Sequence, residues 1–275
     1  MPELAEVEFY RKRWAQVATG ARILRIATHD GRRVFRGTDV PALRRALTGA
    51  TLVSSHAAAK QMLFCFRGGG WLGLHLGMSG ELFVAPPTHE PGRHDHLVLY
   101  LRESALVFRD PRMFGRVLFH SGREAPTWWT QLAPPILSAA FTLEEVAAYL
   151  RRRARAPLKA VLLQQERFPG IGNWMADEIL WRAALHPARP AASLSPAETR
   201  RLWRECRRVC QLALNCIAGR GQSLPADLNV GIPRSWLFLH RWQEGGRCPR
   251  TGCRLARATI GGRTTCWSPA RQPRP

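Results

Sequence analysis

The chain has 275 residues, 45% of them hydrophobic, with 41 basic residues against 20 acidic ones and a formal net charge of +21. Its length suits one large or two modest domains, and no apolar run reaches the roughly 18–20 residues of a membrane span, so no membrane partner is expected. The opening MPELAEVEFY carries carboxylates where a signal peptide carries basic charge, which favours a cytoplasmic protein over a secreted one, and basic charge spread along the whole chain favours a polyanionic partner.

Residues 3–18 read as a helix with Leu4, Val7, Trp14 and Val17 near one face; Glu3 and Glu6 sit in its first turn, where the helix dipole favours anions, and Gly20 suits the stop. The β-type runs ARILRIA, QMLFCF, WLGLHLG, HLVLYL, ALVF and RVLF follow over residues 20–120, separated by turn residues, which predicts a sandwich or barrel. Residues 121–141 hold three prolines and read as a linker. Thr142 with Glu145, and Ser195 with Glu198, predict capping boxes at two helix starts. Between them lie helices over 157–166 and 174–184, joined by RFPGIGN. A third helix runs from 196 to about 218, and a β-hairpin with GGR at its tip ends the chain. The fold class is α+β: an N-terminal helix and β-sandwich at 1–135, a helical domain at 136–222, and a loop and hairpin at 223–275.

Only three of the 41 basic residues are lysines, Lys12, Lys60 and Lys159. Where arginine is the default cation, a lysine suggests a need for a compact, titratable ammonium. Seven cysteines, an odd count in a cytosolic chain, argue against a disulfide framework. Cys206 and Cys210 fall in line with Leu202, Val209 and Ala213, which reads as core. Cys248, Cys253 and Cys266 raise the question of zinc.

In the PGIGN turn, Gly170 and Gly172 allow a tight connection and close approach of a phosphate to a helix N-terminus, with Asn173 adding a side-chain donor. This helix–two-turn–helix pattern on a basic chain reads as a phosphate clamp. The alternatives are a ligand-free helix connection and an RNA-binding protein using the same turn.

Six separated segments then carry a resemblance. MPELAEVE, AAAKQML, HLGMSG at 75–80, HDH at 94–96, DPRMFG at 110–115 and GIGNWMADEIL at 170–180 resemble, in order and approximate spacing, motifs of the bacterial formamidopyrimidine-DNA glycosylase and endonuclease VIII family. The resemblance implies a bifunctional DNA glycosylase and AP lyase of base excision repair. In it Pro2, freed by removal of Met1, is the nucleophile and Glu3 the general acid and base. Glu6 helps to hold the flipped nucleotide, and Lys60 contacts the phosphate beside the lesion. Met78, Arg112 and Phe114 fill the void left by the extruded base. His94 and Lys159 lie at the DNA, and Asn173 and Arg263 grip phosphates. The partner implied is double-stranded DNA with damaged bases or abasic sites, bound between the domains by a monomer near the bacterial nucleoid, with no obligate protein partner. A catalytically silent binder of damaged or branched DNA is the rival reading.

The chain departs from the family in its last segment. The expected four-cysteine finger keeps Cys248, while Thr251, Ser268 and Arg271 stand at the other three positions, so no metal is expected and zinc is disfavoured. Three cysteines completed by His240 are the alternative. Met113 replaces a common second arginine, and the loop at 222–236 is shorter than the one that covers oxidised purines in the formamidopyrimidine branch.

Overall fold

A computed structural model describes residues 2–29 and 31–274. Met1, whose removal the reading of Pro2 requires, lies outside the described residues. The chain divides into two compact units: Met1–Leu132 with Arg220–Leu224, and Ala133–Gly219 with Pro225–Pro275. The first boundary falls three residues before the expected one. The short stretch 220–224 returns to the first unit, and the C-terminal hairpin belongs to the second instead of standing apart.

In the first unit, helix α1 (Leu4–Ala18) starts from an extended Glu3, whose amide donates to the Glu6 carboxylate at 3.2 Å in a capping box. Its buried residues, Ala5, Glu6, Val7, Phe9, Tyr10, Lys12, Trp14 and Ala18, lie on more than one face, and Val17 is exposed, so the expected stripe is only half right. The reason is that α1 packs against both layers of the sandwich. The Trp14 ring lies 5.2 Å from Phe64 in one sheet, and its Nε1 donates to the Phe83 carbonyl in the other.

The strands are β1 (Arg25–Thr28), β2 (Leu52–Ala58), β3 (Gln61–Phe66), β4 (Gly70–His75), β5 (Glu81–Ala85), β6 (Asp95–Tyr100), β7 (Ala105–Arg109) and β8 (Arg116–Ser121). They form two antiparallel sheets, ordered β1-β6-β7-β5 and β2-β3-β4-β8. Strands β2 and β5, which lie outside the runs read from the sequence, are edge strands. An edge strand with one buried face needs few hydrophobic residues, and β2 buries only Leu52. Helix α2 (Val40–Leu47), likewise unforeseen, begins at Asp39, whose carboxylate accepts from the Ala42 amide. A single-turn helix, α3 (Thr127–Thr130), interrupts the proline-rich stretch.

The second unit holds α4 (Leu143–Arg152), α5 (Leu158–Leu162), α6 (Asn173–Ala183), α7 (Pro196–Ala213) and the hairpin β9 (Ala256–Ile260) and β10 (Arg263–Trp267). A π-turn at Leu214–Ala218 continues α7 to the expected length. Ser195 and Glu198 form the full capping box. Thr142 accepts from the Glu145 amide, but the Glu145 carboxylate pairs with Arg167 at 2.7 Å, so only half of that box forms. Leu202, Cys206, Val209, Cys210 and Ala213 are all fully buried along α7. Helix α6 is buried on every side, including Asp177 and Glu178. Among the described residues no helix is long and apolar enough to cross a membrane.

Candidate active site and nucleic-acid interface

Pro2 is half-buried and leads directly into α1. The capping box fixes Glu3 and Glu6 one helical turn apart, and both are buried. Two carboxylates withdrawn from water next to Pro2 have the chemistry for proton transfer and charge stabilisation, since burial strengthens electrostatic effects. Nearby, burial and then Glu81 push the Tyr10 hydroxyl up to about 12, with Glu6 adding to the rise.

Lys60 occupies the turn between β2 and β3, after Ala59 with φ +55°. That left-handed conformation is uncommon for a residue with a Cβ and stores strain. Lys60 is 7% exposed, so it is not a solvated surface lysine. His75 is its electrostatic neighbour. Burial, then Lys60, Arg36 and Arg116, hold the imidazole below its ordinary pKa, and Nδ1 accepts from the Gly77 amide at 3.1 Å. The ring is therefore neutral at pH 7 with its proton on Nε2. Its motif was singled out in the sequence, but its place near Lys60 follows from the pairing of Gln61 with His75.

Met78, Arg112 and Phe114 stand together on two interlocked loops. Met78 is 37% and Phe114 42% exposed, and the Arg112 guanidinium lies 5.0 Å from the Phe114 ring centre. The loops approach so closely that a Cβ at Gly77 would meet the Gly115 amide nitrogen at 2.5 Å, and one at Gly115 would meet the His75 carbonyl at 2.8 Å. Asp110, fully buried, ties them together. One carboxylate oxygen accepts from Ser79 Oγ at 2.7 Å and the Arg112 amide at 3.2 Å; the other accepts from the Gly115 amide at 2.7 Å. The Asp110 amide donates to the carbonyl of the half-buried His94, and the Asp110 carbonyl accepts from His96 Nε2. Met113, between the exposed Arg112 and Phe114, has φ +54°. Large side chains are thus held in water on a strained, rigid loop instead of being packed away.

In the second unit, Gly170 has φ +86° and Gly172 is the extended residue before α6. The Gly170 amide donates to Gln165 Oε1. Gln165 Nε2 in turn donates to the carbonyls of Leu163 and Ile171, so this glutamine builds the turn. Asn173 Nδ2 donates to the Thr264 carbonyl of β10 at 3.0 Å, linking the turn to the hairpin. Gly261 (φ +60°) lies so near α5 that a Cβ would meet Ala160 Cβ at 2.6 Å. Arg263, the first residue of β10, is exposed.

Lys159 corrects the sequence reading. It is 0% exposed, so the lysine that the resemblance sets at the DNA lies in the core of the second unit. Its Nζ donates to the Asn173 carbonyl at 2.6 Å and to Asp177 Oδ1 at 2.5 Å. Asp177 Oδ2 also accepts from Arg241 at 2.6 Å and from the Cys266 amide at 3.0 Å. The lysine staples α5 to α6, and Asp177 extends the staple to β10 and to the segment at Arg241. No local pattern marks this hub, because its members come from four separate stretches.

The comparisons fit this geometry. Residues 1–117 match the formamidopyrimidine-DNA glycosylase N-terminal domain, and residues 132–223 match the H2TH domain of the same family. The chain is 37% identical over 272 residues to a formamidopyrimidine-DNA glycosylase of Roseiflexus sp., covering 98% of each chain. It is 36% identical over 281 residues to that of Thermus thermophilus, covering 99% of this chain and 98% of the relative. The chain belongs to the formamidopyrimidine-DNA glycosylase family. The solved MutM (Fpg) protein of Thermus thermophilus superposes with a TM-score of 0.79 at 34% identity, over 98% of each chain. A Lactococcus lactis Fpg in complex with abasic-site DNA superposes at 0.85 and 25% identity, covering 99% of this chain and 100% of that one.

Within this formamidopyrimidine-DNA glycosylase family member, the foot of the finger differs from a four-thiolate zinc site. At the four expected positions, Arg271 donates to the carbonyls of Trp181 and Arg182, while Thr251 and Ser268 offer neutral hydroxyls. Zinc wants four thiolate, imidazole or carboxylate ligands, and this set does not fit it. His240 turns its Nε2 to the Arg234 carbonyl, and among the described residues no group of three or more His, Cys, Asp or Glu is placed to hold a metal ion. Cys266 is buried in the core beside Asp177, and burial, then that carboxylate, push its thiol up to about 11.

Proposed function

We propose that this enzyme excises damaged bases from duplex DNA and then cleaves the strand at the resulting abasic site, with the Pro2 amine as nucleophile. The observation that carries the reading is the exposed trio Met78, Arg112 and Phe114, locked outward by Asp110 in the same unit as Pro2 and Glu3. An enzyme acting on a base must take it out of the stack, and something must fill the gap. Methionine and phenylalanine suit a wedge between bases, and arginine can hydrogen-bond the orphaned partner base.

With Met1 removed, a terminal amine with a reference pKa of about 7.7–8.0 is partly neutral near pH 7. Its lone pair attacks the sugar C1′ as the bond to the damaged base breaks, and the base leaves with the bonding electrons. Glu3 supplies the proton that opens the sugar ring. A secondary amine then necessarily forms a cationic iminium, which acidifies C2′; loss of that proton expels the 3′-phosphate, and a second elimination expels the 5′-phosphate. Lys60 holds the phosphate beside the lesion, and Glu6 fixes Glu3 through the capping box. The phosphate-binding elements of the second unit are the Gly170–Asn173 turn and Arg263. Such contacts, with a net charge of +21, bind the backbone without reading sequence. Packing and hydrogen bonds, without zinc, hold the finger in this reading.

Borohydride trapping tests it. Untagged protein mixed with a duplex carrying an abasic site or an oxidised base should give a covalent adduct on the N-terminal peptide. Pro2→Gly should lose most of that adduct, and Glu3→Gln should lose base excision. Absence of any adduct from folded protein that still binds the duplex would establish a silent binder instead.

A further inference from the structure

The finger's foot brings two thiols together where the family's finger would hold an ion. Arg247 and Arg254 form an isolated antiparallel bridge, flanked by hydrogen bonds from the Cys248 amide to the Cys253 carbonyl (2.9 Å) and from the Leu255 amide to the Gly246 carbonyl (2.8 Å). In that pattern Cys248 and Cys253 are the next residues opposite one another, with side chains on one face. Directly opposed antiparallel residues have Cα atoms about 5.5 Å apart, within the ~4.4–6.8 Å range of disulfides. The two sulfurs share partners. Cys253 Sγ lies 2.9 Å from Thr251 Oγ1 and 3.3 Å from Ser268 Oγ, and Cys248 Sγ is hydrogen-bonded to the same two hydroxyls and accepts from Trp181 Nε1 at 3.4 Å. Both are free thiols; Cys253 is partly exposed and Cys248 buried beneath it.

We propose that Cys248 and Cys253 are a dithiol–disulfide site, oxidised by low-molecular-weight disulfides of the glutathione type, that occupies the place of the family's metal. The accessible Cys253 thiolate attacks one sulfur of the small disulfide and expels a thiolate, leaving a mixed disulfide. The Cys248 thiolate then attacks Cys253 Sγ, forms the intramolecular bond and expels the second small thiolate. The protein loses two electrons and two protons, and the small disulfide takes up both.

Access sets this order, because Cys253 is partly exposed and Cys248 buried, while hydrogen bonds favour both thiolates. Although burial opposes it, hydrogen bonds from Ser268, Thr251, Trp181 and the Arg250 amide bring the Cys248 thiol down to about 7, and those from Ser268 and Thr251 also lower Cys253. Reactivity follows thiolate fraction and access. The other buried cysteines are placed otherwise: burial drives the Cys206 thiol well up, and Cys266 is raised as described.

The full chain equilibrated against reduced and oxidised glutathione, blocked with an alkylating reagent and digested without reduction gives a direct readout. Trypsin cuts after Arg247, Arg250 and Arg254, so the bond would join the otherwise separate peptides 248–250 and 251–254. The expected result is that joined pair as the main oxidised product, formed before the half-buried single thiols Cys65 and Cys216 are modified. In Cys248→Ser the product should stop as glutathione on Cys253. Recovery of the two peptides unjoined from oxidised wild-type protein, whether free or carrying glutathione, would overturn the proposal.

Discussion

Two buried aspartates organise the two units in different ways. Asp110, at the wedge loops, receives only neutral donors: a serine hydroxyl and two backbone amides. Asp177, under the hairpin, receives two cations, Lys159 and Arg241, besides the Cys266 amide. The first arrangement dictates the shape of a loop. The second draws charges from separate elements into the core, and each depends on the other for its compensation. Breaking such a pair leaves an unpaired buried charge, a larger penalty than a lost neutral hydrogen bond. Asp177 is therefore chiefly a matter of folding, and Asp110 of how exposed side chains are aimed.

The largest effect should come from Asp177→Ala, which strands Lys159 and Arg241; a loss of about 3–5 kcal/mol in denaturant unfolding is expected. A loss under about 1 kcal/mol would show that water reaches these cations and that the staple is not buried in effect. Asp110→Asn turns a donor toward amides that need an acceptor, at a local cost of about 1–3 kcal/mol. Its signature should be selective: excision of a damaged base should slow by roughly tenfold or more, while cleavage of a preformed abasic site, where no base is extruded, should change much less. Equal losses on both substrates would remove the distinction between loop aiming and general stability. The smallest effect should separate two cations of the second unit. Arg263→Ala should lower the salt dependence of duplex binding by about one unit of slope. Lys159→Met should leave that slope unchanged and reveal itself in unfolding instead. A slope change for Lys159→Met would restore it to the DNA interface.

Much of this was legible along the chain. Capping residues announced α4 and α7, apolar runs announced β3, β4, β6 and β7, and glycine placement announced the turn before α6 and the hairpin tip. Edge strand β2 was not visible, because a strand paired on one side and half solvated needs no apolar run. The exposed state of Met78 and Phe114 also ran against composition, since both residue types usually pack inside. The motif flagged them, and only Asp110 and the close approach of Gly77 to Gly115 explain why they cannot turn inward.

Lys60 and Lys159 show where local reading stops. Both stood out as rare lysines in an arginine-rich chain, and both proved buried for different reasons: one in a strained turn beside His75, the other in an ion pair beneath the hairpin. The sequence by itself determined the capped helices, the strands with apolar runs, the family motifs and the basic charge that favours a polyanionic partner, because these rest on turn chemistry, periodicity, residue identity and net charge. Tertiary structure alone decided which lysine is a staple, which amide the turn leaves occupied and which cysteines face one another. Those outcomes depend on contacts between residues far apart along the chain, which no local pattern encodes.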